Sequence, residues 1–274
     1  MKLCRFQPLV FSPDQVKRAA PGVSPGTRPE PRTGVIAGGT VREIVGDLFG
    51  EWRATDHTWS LAEVKLLPPV APSKIVCLGR NYVEHAQELG HEVPKEPLIF
   101  LKPPSAIIAP DEPIVLPPIS QRVDYEGELT AVIGRVCAHL RPDEDIRPYV
   151  LGFTCLNDVT ARDLQKTDGQ WTRAKGFDTF CPLGPVIETE LDWTRTKTET
   201  YVNGKGKQSA PTTEMIFPVD VIIRWVSRMM TLLPGDVVAT GTPAGVGPLH
   251  AGDVVEVVVG GVGTLRNPVV AQEA

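Results

Sequence analysis

Two glutamates two residues apart, Glu126 and Glu128, lie in the run Asp124-Tyr125-Glu126-Gly127-Glu128-Leu129, which continues as Thr130-Ala131-Val132-Ile133-Gly134. Side chains alternate faces along a strand, so residues two apart point the same way. If this run is a strand, both carboxylates aim at one spot. A third carboxylate, Asp158, stands in Leu156-Asn157-Asp158-Val159-Thr160-Ala161-Arg162-Asp163. Three converging carboxylates repel one another unless a cation lies between them. Hard oxygen ligands suit Mg²⁺, Mn²⁺ or Ca²⁺ rather than a thiophilic metal. The neighbours Leu129, Ala131, Val132, Ile133 and Leu156 are apolar, and a buried charge needs a partner. A metal is one such partner and arginine is the other, with Arg122, Arg135 and Arg162 near enough in sequence to serve. The pattern points to an enzyme that holds a divalent metal and uses it as a Lewis acid.

A second constellation is Gly79-Arg80-Asn81-Tyr82-Val83-Glu84-His85-Ala86-Gln87-Glu88-Leu89-Gly90. On a helix, His85 and Glu88 share a face. A carboxylate beside an imidazole orients the ring and raises its basicity, which suits proton abstraction. The bland alternative is a salt-bridged surface histidine. His57, His91, His139 and His250 show no comparable partner and receive no role. In Thr172-Arg173-Ala174-Lys175-Gly176-Phe177-Asp178, a loop lysine could hold an anionic substrate or simply face solvent. The glycines and threonines of Thr240-Gly241-Thr242-Pro243-Ala244-Gly245-Val246-Gly247 permit close approach to backbone. They match neither nucleotide-binding glycine pattern, so a turn between strands is the expectation there.

The elements that must carry these residues are short. Lys2 to Leu9 reads as a strand, and Phe11 to Arg32, with prolines at 13, 21, 25, 29 and 31, as an exposed loop. Residues 34–44 read as a hairpin around Gly38-Gly39, and the proline-rich stretch 66–72 as a linker. That divides the chain into residues 1–70, a small N-terminal unit, and residues 71–274, the main domain. In the main domain, strands are expected at 74–79, 97–102 (buried), 114–116, 127–133 and 150–156, with a helix over 82–89 closed by Gly90. The clearest helix runs from Pro218 to Leu232, with Val219, Ile222, Val226, Met229 and Leu233 as its buried stripe. Strands at 237–240, 253–259 and 263–270 close the chain.

The chain has 274 residues, 42% hydrophobic and 22% charged, with a formal net charge of −5. No basic surplus exists to neutralise phosphates, so nucleic acid is not expected as a partner. Five scattered cysteines make no Cys-x-x-Cys pair, which suggests free thiols in a reducing cytoplasm. The N-terminus lacks the apolar core of a signal peptide, and no apolar run reaches the length of a membrane span.

Taken in order, several motifs resemble the fumarylacetoacetate hydrolase superfamily. They are Gly79-Arg80-Asn81-Tyr82 with His85, Phe100-Leu101-Lys102-Pro103, Asp124-Tyr125-Glu126-Gly127-Glu128-Leu129, Asn157 to Asp163, Ala174-Lys175-Gly176-Phe177-Asp178 and Thr240-Gly241-Thr242-Pro243. The resemblance covers residues 74–270 and is looser before them. It implies a mixed α/β, predominantly β chain: a β-sandwich roll with a small N-terminal accessory domain, forming a homodimer. It also implies Mg²⁺ or Mn²⁺ held by Glu126, Glu128 and Asp158, with His85 as general base and Glu88 as its orienting partner. Lys175, Arg162 and Gln165 would contact the substrate carboxylate or developing enolate, and Thr242 the opposite side of the substrate. The helix bearing His85 would act as a lid. The fourth acidic ligand of larger animal-type hydrolases has no counterpart, so water would fill that place. The implied activity is metal-dependent hydrolysis of a C–C bond in an acylpyruvate-type 2,4-dioxo acid through an enolate, with oxaloacetate decarboxylation alongside. The alternative is a 2-hydroxyhepta-2,4-diene-1,7-dioate isomerase or decarboxylase. The partner in each case is a small 2-oxo acid.

Overall fold

The computed structural model describes residues 1–9, 30–88, 90 and 92–273. Most of the proline-rich stretch from Phe11 lies outside the described residues, as do Leu89 and His91. Among the described residues the first strands are β1 (Lys2–Pro8), β2 (Arg32–Ala37), β3 (Thr40–Gly46), β4 (Trp52–Ser60) and β5 (Val64–Leu67). Gly38 and Gly39 join β2 to β3 at φ of 55° and 81°. This two-residue turn needs left-handed backbone at both positions, as glycine allows.

Next come β6 (Ile75–Gly79), helix α1 (Val83–Glu88), β7 (Leu98–Lys102), β8 (Ile107–Ile108), β9 (Ile114–Leu116), β10 (Val123–Tyr125), β11 (Gly127–Ile133) and β12 (Val150–Asn157). A compact stretch follows, with β13 (Thr160–Ala161), α2 (Arg162–Asp168), α3 (Thr172–Lys175) and β14 (Cys181–Glu188). The chain ends with β15 (Lys197–Val202), β16 (Lys205–Pro211), α4 (Val219–Met229), β17 (Val237–Ala239), β18 (Gly247–Pro248), β19 (Val254–Val259) and β20 (Gly263–Ala271).

Among the described residues the strands make three sheets. The largest has twelve strands in the order β4-β3-β2-β1-β14-β12-β11-β17-β6-β7, with β5 beside β1 and β8 beside β14. The N-terminal strands therefore continue the main sheet through the β1–β14 pair. A five-stranded sheet runs β16-β15-β19-β20-β9, and a three-stranded one β13-β10-β18.

Strand β11 sits at the centre and is buried along its whole length. Its alternation serves two cores. Leu129, Ala131 and Ile133 join the cluster that holds Val219, Ile222, Ile223 and Val226 of α4, while Val132 faces Ile75, Leu156 and Val237. Each large side chain so buried contributes about 1.5–3 kcal/mol relative to exposure. A third cluster, with Tyr125, Val159, Ala161 and Phe180, packs beneath the three-stranded sheet.

Two expectations are corrected here. The long helix ends at Met229, and Met229 and Leu233, expected in its buried stripe, are 51% and 42% exposed. Ile223 takes the inward place instead. Strand β7 is not buried throughout, because it ends the sheet; Leu98 and Leu101 face outward and only Lys102 is fully enclosed.

Candidate active site

Strand pairing brings the three carboxylates together. In the β11–β12 pair, Gly127 faces Asn157 and Glu128 faces Leu156. One rung beyond, Asp158 N–H donates to Glu126 O at 2.8 Å. Glu126 and Asp158 are thus opposite neighbours, and Glu128 is their diagonal neighbour. The strand expected over 127–133 is β11, and Glu126 lies just before it, between β10 and β11, where the chain passes from the small sheet to the large one. The convergence survives, since one ligand oxygen from each of Glu126, Glu128 and Asp158 lies within 4.8 Å of the others.

Cations crowd this cluster. Lys175 Nζ donates to Glu126 Oε2 at 2.8 Å and to Asp158 Oδ2 at 2.6 Å. Lys102 Nζ donates to Asp158 Oδ1 at 2.7 Å. Arg162 gives Nη2 to Glu126 Oε1 at 2.5 Å, Nε to Asp124 Oδ2 at 2.9 Å and Nη1 to Gln165 Oε1 at 2.7 Å. The arginine partner weighed from sequence is therefore real, alongside two lysines. Lys175 is not a loop residue open to solvent; it ends α3 and is 2% exposed. Its ammonium also lies 4.9 Å from the centre of the Phe100 ring.

Glu128 differs from the other two. Its Oε2 accepts from Gly241 N–H at 2.8 Å, but its Oε1 is buried without any partner. Burial pushes the Glu128 carboxyl well up, and the charges of Asp158 and Glu126 push it further. Burial also raises Glu126, yet Lys175 and Arg162 outweigh that and hold it below the usual carboxylate range. Burial lowers Lys175, but Asp158 and Glu126 prevail and keep it charged. An orphaned buried oxygen aimed into an all-carboxylate donor set suits a hard divalent cation.

His85 is 4% exposed and lines one cavity with Leu78, Arg80, Glu126, Arg162, Gln165, Trp171, Lys175 and Thr242. The empty space between these side chains, open solvent included, is about 360 Å³. His85 Nδ1 lies 3.4 Å from Glu88 Oε2, a long contact. A carboxylate only accepts, so the proton is placed on Nδ1 and the lone pair on Nε2. Burial lowers the His85 pKa, partly offset by Glu126 and Glu88. Both Glu88 oxygens also accept from Gly245 N–H at 3.2 Å, so the glycine-threonine segment is more than a turn.

Gln208, on β16, clamps that segment to the paired glutamates. Its Oε1 accepts from Gly127 N–H at 3.0 Å, and its Nε2 donates to Thr242 Oγ1 and Pro243 O, both at 2.7 Å. Thr242 Oγ1 in turn donates to Gly127 O at 2.9 Å. The Thr242 hydroxyl has thus spent its proton. Asn81 does a similar job for α1, bonding Thr240 O, Phe217 O and Phe217 N–H.

All the residues singled out from sequence as site candidates (Glu126, Glu128, Asp158, His85, Glu88, Lys175, Arg162, Gln165 and Thr242) lie around this cavity or its immediate wall. Lys102, Asp124, Asn81 and Gln208 were missed. Asp124 continues the Glu126–Glu128 alternation, and Lys102 closes an apolar strand, so both carried a signal. Asn81 stood within the Gly79-Arg80-Asn81-Tyr82 motif without being given a role, and Gln208 carried no signal.

Residues 74–270 match the family Fumarylacetoacetate (FAA) hydrolase C-terminal. The chain belongs to the fumarylacetoacetate hydrolase superfamily. Residues 27–69 match the family Rv2993c-like, N-terminal. Protein Rv2993c of Mycobacterium tuberculosis is 51% identical over 84% of this chain and 88% of that protein. The Homo sapiens protein named oxaloacetate tautomerase FAHD2B, mitochondrial, is 45% identical over 77% of this chain and 71% of its own length. A solved structure named 5-carboxymethyl-2-hydroxymuconate delta-isomerase, from Mycobacterium smegmatis, superposes with a TM-score of 0.86 at 43% identity, covering 99% of this chain and 100% of that one. Among the described residues no helix is long and apolar enough to cross a membrane.

Proposed function

We propose that this superfamily member moves a proton at the carbon beside the 2-oxo group of a small 2-oxo acid, interconverting the keto and enol forms of an oxaloacetate-type substrate. The observation that carries the reading is a buried His85, backed by Glu88, on the same cavity as the three carboxylates. Glu126, Glu128 and Asp158 would hold Mg²⁺ or Mn²⁺, which when bound supplies Lewis-acid polarisation of the 2-oxo group. The remaining roles fall to the chain's own side chains. His85, kept neutral by burial, takes the carbon proton on Nε2 and returns it. Glu88 holds the ring and steadies it when it is charged. Lys175 and Arg162 place fixed positive charge beside the developing enolate oxygen, with Gln165 aligned by Arg162. Thr242 shapes the opposite wall. The names of the tautomerase and isomerase relatives support this class of chemistry.

A second reading is the hydrolysis of an acylpyruvate-type 2,4-dioxo acid. It is favoured by the way Gly245 N–H pins Glu88 behind His85, since such a dyad also suits deprotonation of water. Decarboxylation of oxaloacetate and isomerisation of a 2-hydroxyhepta-2,4-diene-1,7-dioate begin from the same kind of enolate.

The test uses metal-stripped protein with and without Mn²⁺. Enol-oxaloacetate absorbance should decay faster than background only with metal, and His85→Ala should lose this while still binding Mn²⁺. Cleavage of acetylpyruvate without any effect on the enol would select the hydrolase reading.

A further inference from the structure

The cavity is lined by three cationic side chains besides His85: Arg80, Arg162 and Lys175. Two of them are committed. Every nitrogen position of the Arg162 guanidinium has a partner in Asp124, Glu126 or Gln165. Lys175 gives two of its three N–H donors to Glu126 and Asp158 and packs on Phe100. Arg80 has no ion pair among the described residues, and its Nε is buried without a hydrogen-bond partner.

The backbone goes out of its way to put Arg80 there. It follows β6 at φ 59°, a left-handed conformation uncommon for a residue with a Cβ and found disproportionately at functional sites. Its neighbour Gly79 leaves room for Trp171; a Cβ there would lie 2.7 Å from that ring. Trp171 in turn carries the Arg80 guanidinium, 6.0 Å from the ring centre, and is itself braced edge-on against Phe100 at 5.1 Å. An arginine set over an aromatic face can keep its planar edge free for a carboxylate, which a guanidinium binds through two parallel hydrogen bonds.

We propose that Arg80, held on Trp171, is the specificity-determining residue that binds a second carboxylate on the substrate, so that the site selects dicarboxylic 2-oxo acids over monocarboxylic ones. The inference rests on the proposed reading that the carboxylate cluster and its metal engage the 2-oxo acid end. The distal carboxylate is then left for Arg80, which alone of the three cavity-wall cations has no ion pair among the described residues. A distal methyl or alkyl group would leave the buried Arg80 Nε unpaired, which penalises monoacids.

The experiment is calorimetric binding to the Mn²⁺-loaded full chain of two unreactive 2-hydroxy acids that differ in the distal group, malate and 2-hydroxybutyrate. Oxalate serves as a probe of the metal end alone. The wild type should prefer malate by about tenfold or more. Arg80→Met should erase that preference while leaving the Mn²⁺ and oxalate affinities within about threefold. Arg80→Lys, which keeps the charge but loses the planar fork, should retain part of it. Should Arg80→Met fail to fold, the Arg80→Lys ratio and Trp171→Leu, which removes the platform, test the same preference. Equal binding of the two acids by the wild type, or an undiminished preference in the variants, overturns the assignment. Failure of the wild type to bind oxalate would instead count against the metal-site reading.

Discussion

Lys102 and Asp158 form an ion pair closed to solvent, with Nζ 2.7 Å from Oδ1 and side chains 0% and 1% exposed. Lys102 arrives from the end of an edge strand and Asp158 from the end of a central one, so the pair ties the rim of the large sheet to the carboxylate cluster. Removing one member of a buried pair costs about 3–5 kcal/mol. Lys102→Met should therefore lower the Tm of the metal-free protein. It also removes one positive charge from the cluster, so Mn²⁺ should raise the Tm of the variant more than that of the wild type. Thermal melts with and without Mn²⁺ measure both; an equal Mn²⁺ gain in the two proteins would show that Lys102 does not balance the cluster's charge.

Glu128 makes the metal-free protein sensitive to pH in a defined direction. Its folded pKa is raised above the ordinary 4.5 by burial and by Asp158 and Glu126. The unfolded chain loses this proton near the ordinary value while the folded chain keeps it, so this contribution to stability is lost as pH climbs from there through the raised value. Mn²⁺ must displace the same proton, so its affinity should increase over that window. Glu128→Gln should flatten this part of the Tm-against-pH curve, raise the metal-free Tm at neutral pH and abolish stabilisation by Mn²⁺. A variant that kept the wild-type slope would place the titration elsewhere.

His85 should control the acid limb of activity. Burial lowers its pKa below the usual 6.5, against opposing contributions from Glu126 and Glu88. In the proposed reaction a histidine base works as the neutral ring, so kcat/KM should fall only as pH drops through that lowered value. Glu88→Gln removes a group that favours the charged ring, and the limb should move to still lower pH with a smaller kcat. His85→Asn should reduce kcat by about 10²–10⁴-fold while leaving the Mn²⁺ affinity unchanged. Activity profiles of the three proteins decide this, and an unmoved limb in Glu88→Gln would separate Glu88 from the base.

Gly127 is where the five-stranded sheet touches the turn that bears Glu126 and Glu128. A Cβ at Gly127 would lie 2.2 Å from Thr200 Oγ1 and 3.1 Å from Val257 Cγ1. Gly127→Ala should destabilise by about 1–3 kcal/mol through overpacking and weaken Mn²⁺ binding by pushing Glu126 and Glu128 apart. Thr200 Oγ1 is buried without a hydrogen-bond partner, so Thr200→Ala sacrifices little. The double variant should recover much of the loss, and simple additivity in denaturant unfolding would refute the contact.

The geometry of the candidate site was legible in the sequence wherever it depended on short-range periodicity. The alternation around Glu126 and Glu128, the helical spacing of His85 and Glu88, the Gly38-Gly39 hairpin and the order of the family motifs all depend on residues within a few positions of one another. The local backbone turns such spacings into directions. What spacing could not supply is how distant segments meet. Antiparallel register set Asp158 opposite Glu126, just beyond the ends of β12 and β11. The end of the sheet, not hydrophobicity, left Leu98 and Leu101 exposed, and the end of α4 left Met229 exposed. Lys102, Asn81 and Gln208 became site residues because their strands and loops converge there, although each stands far along the chain from what it binds. Which cation remains free is likewise a tertiary fact. Arg162 and Lys175 are paired with carboxylates of the chain, whereas Arg80, at a left-handed turn beside Trp171, has no ion pair among the described residues.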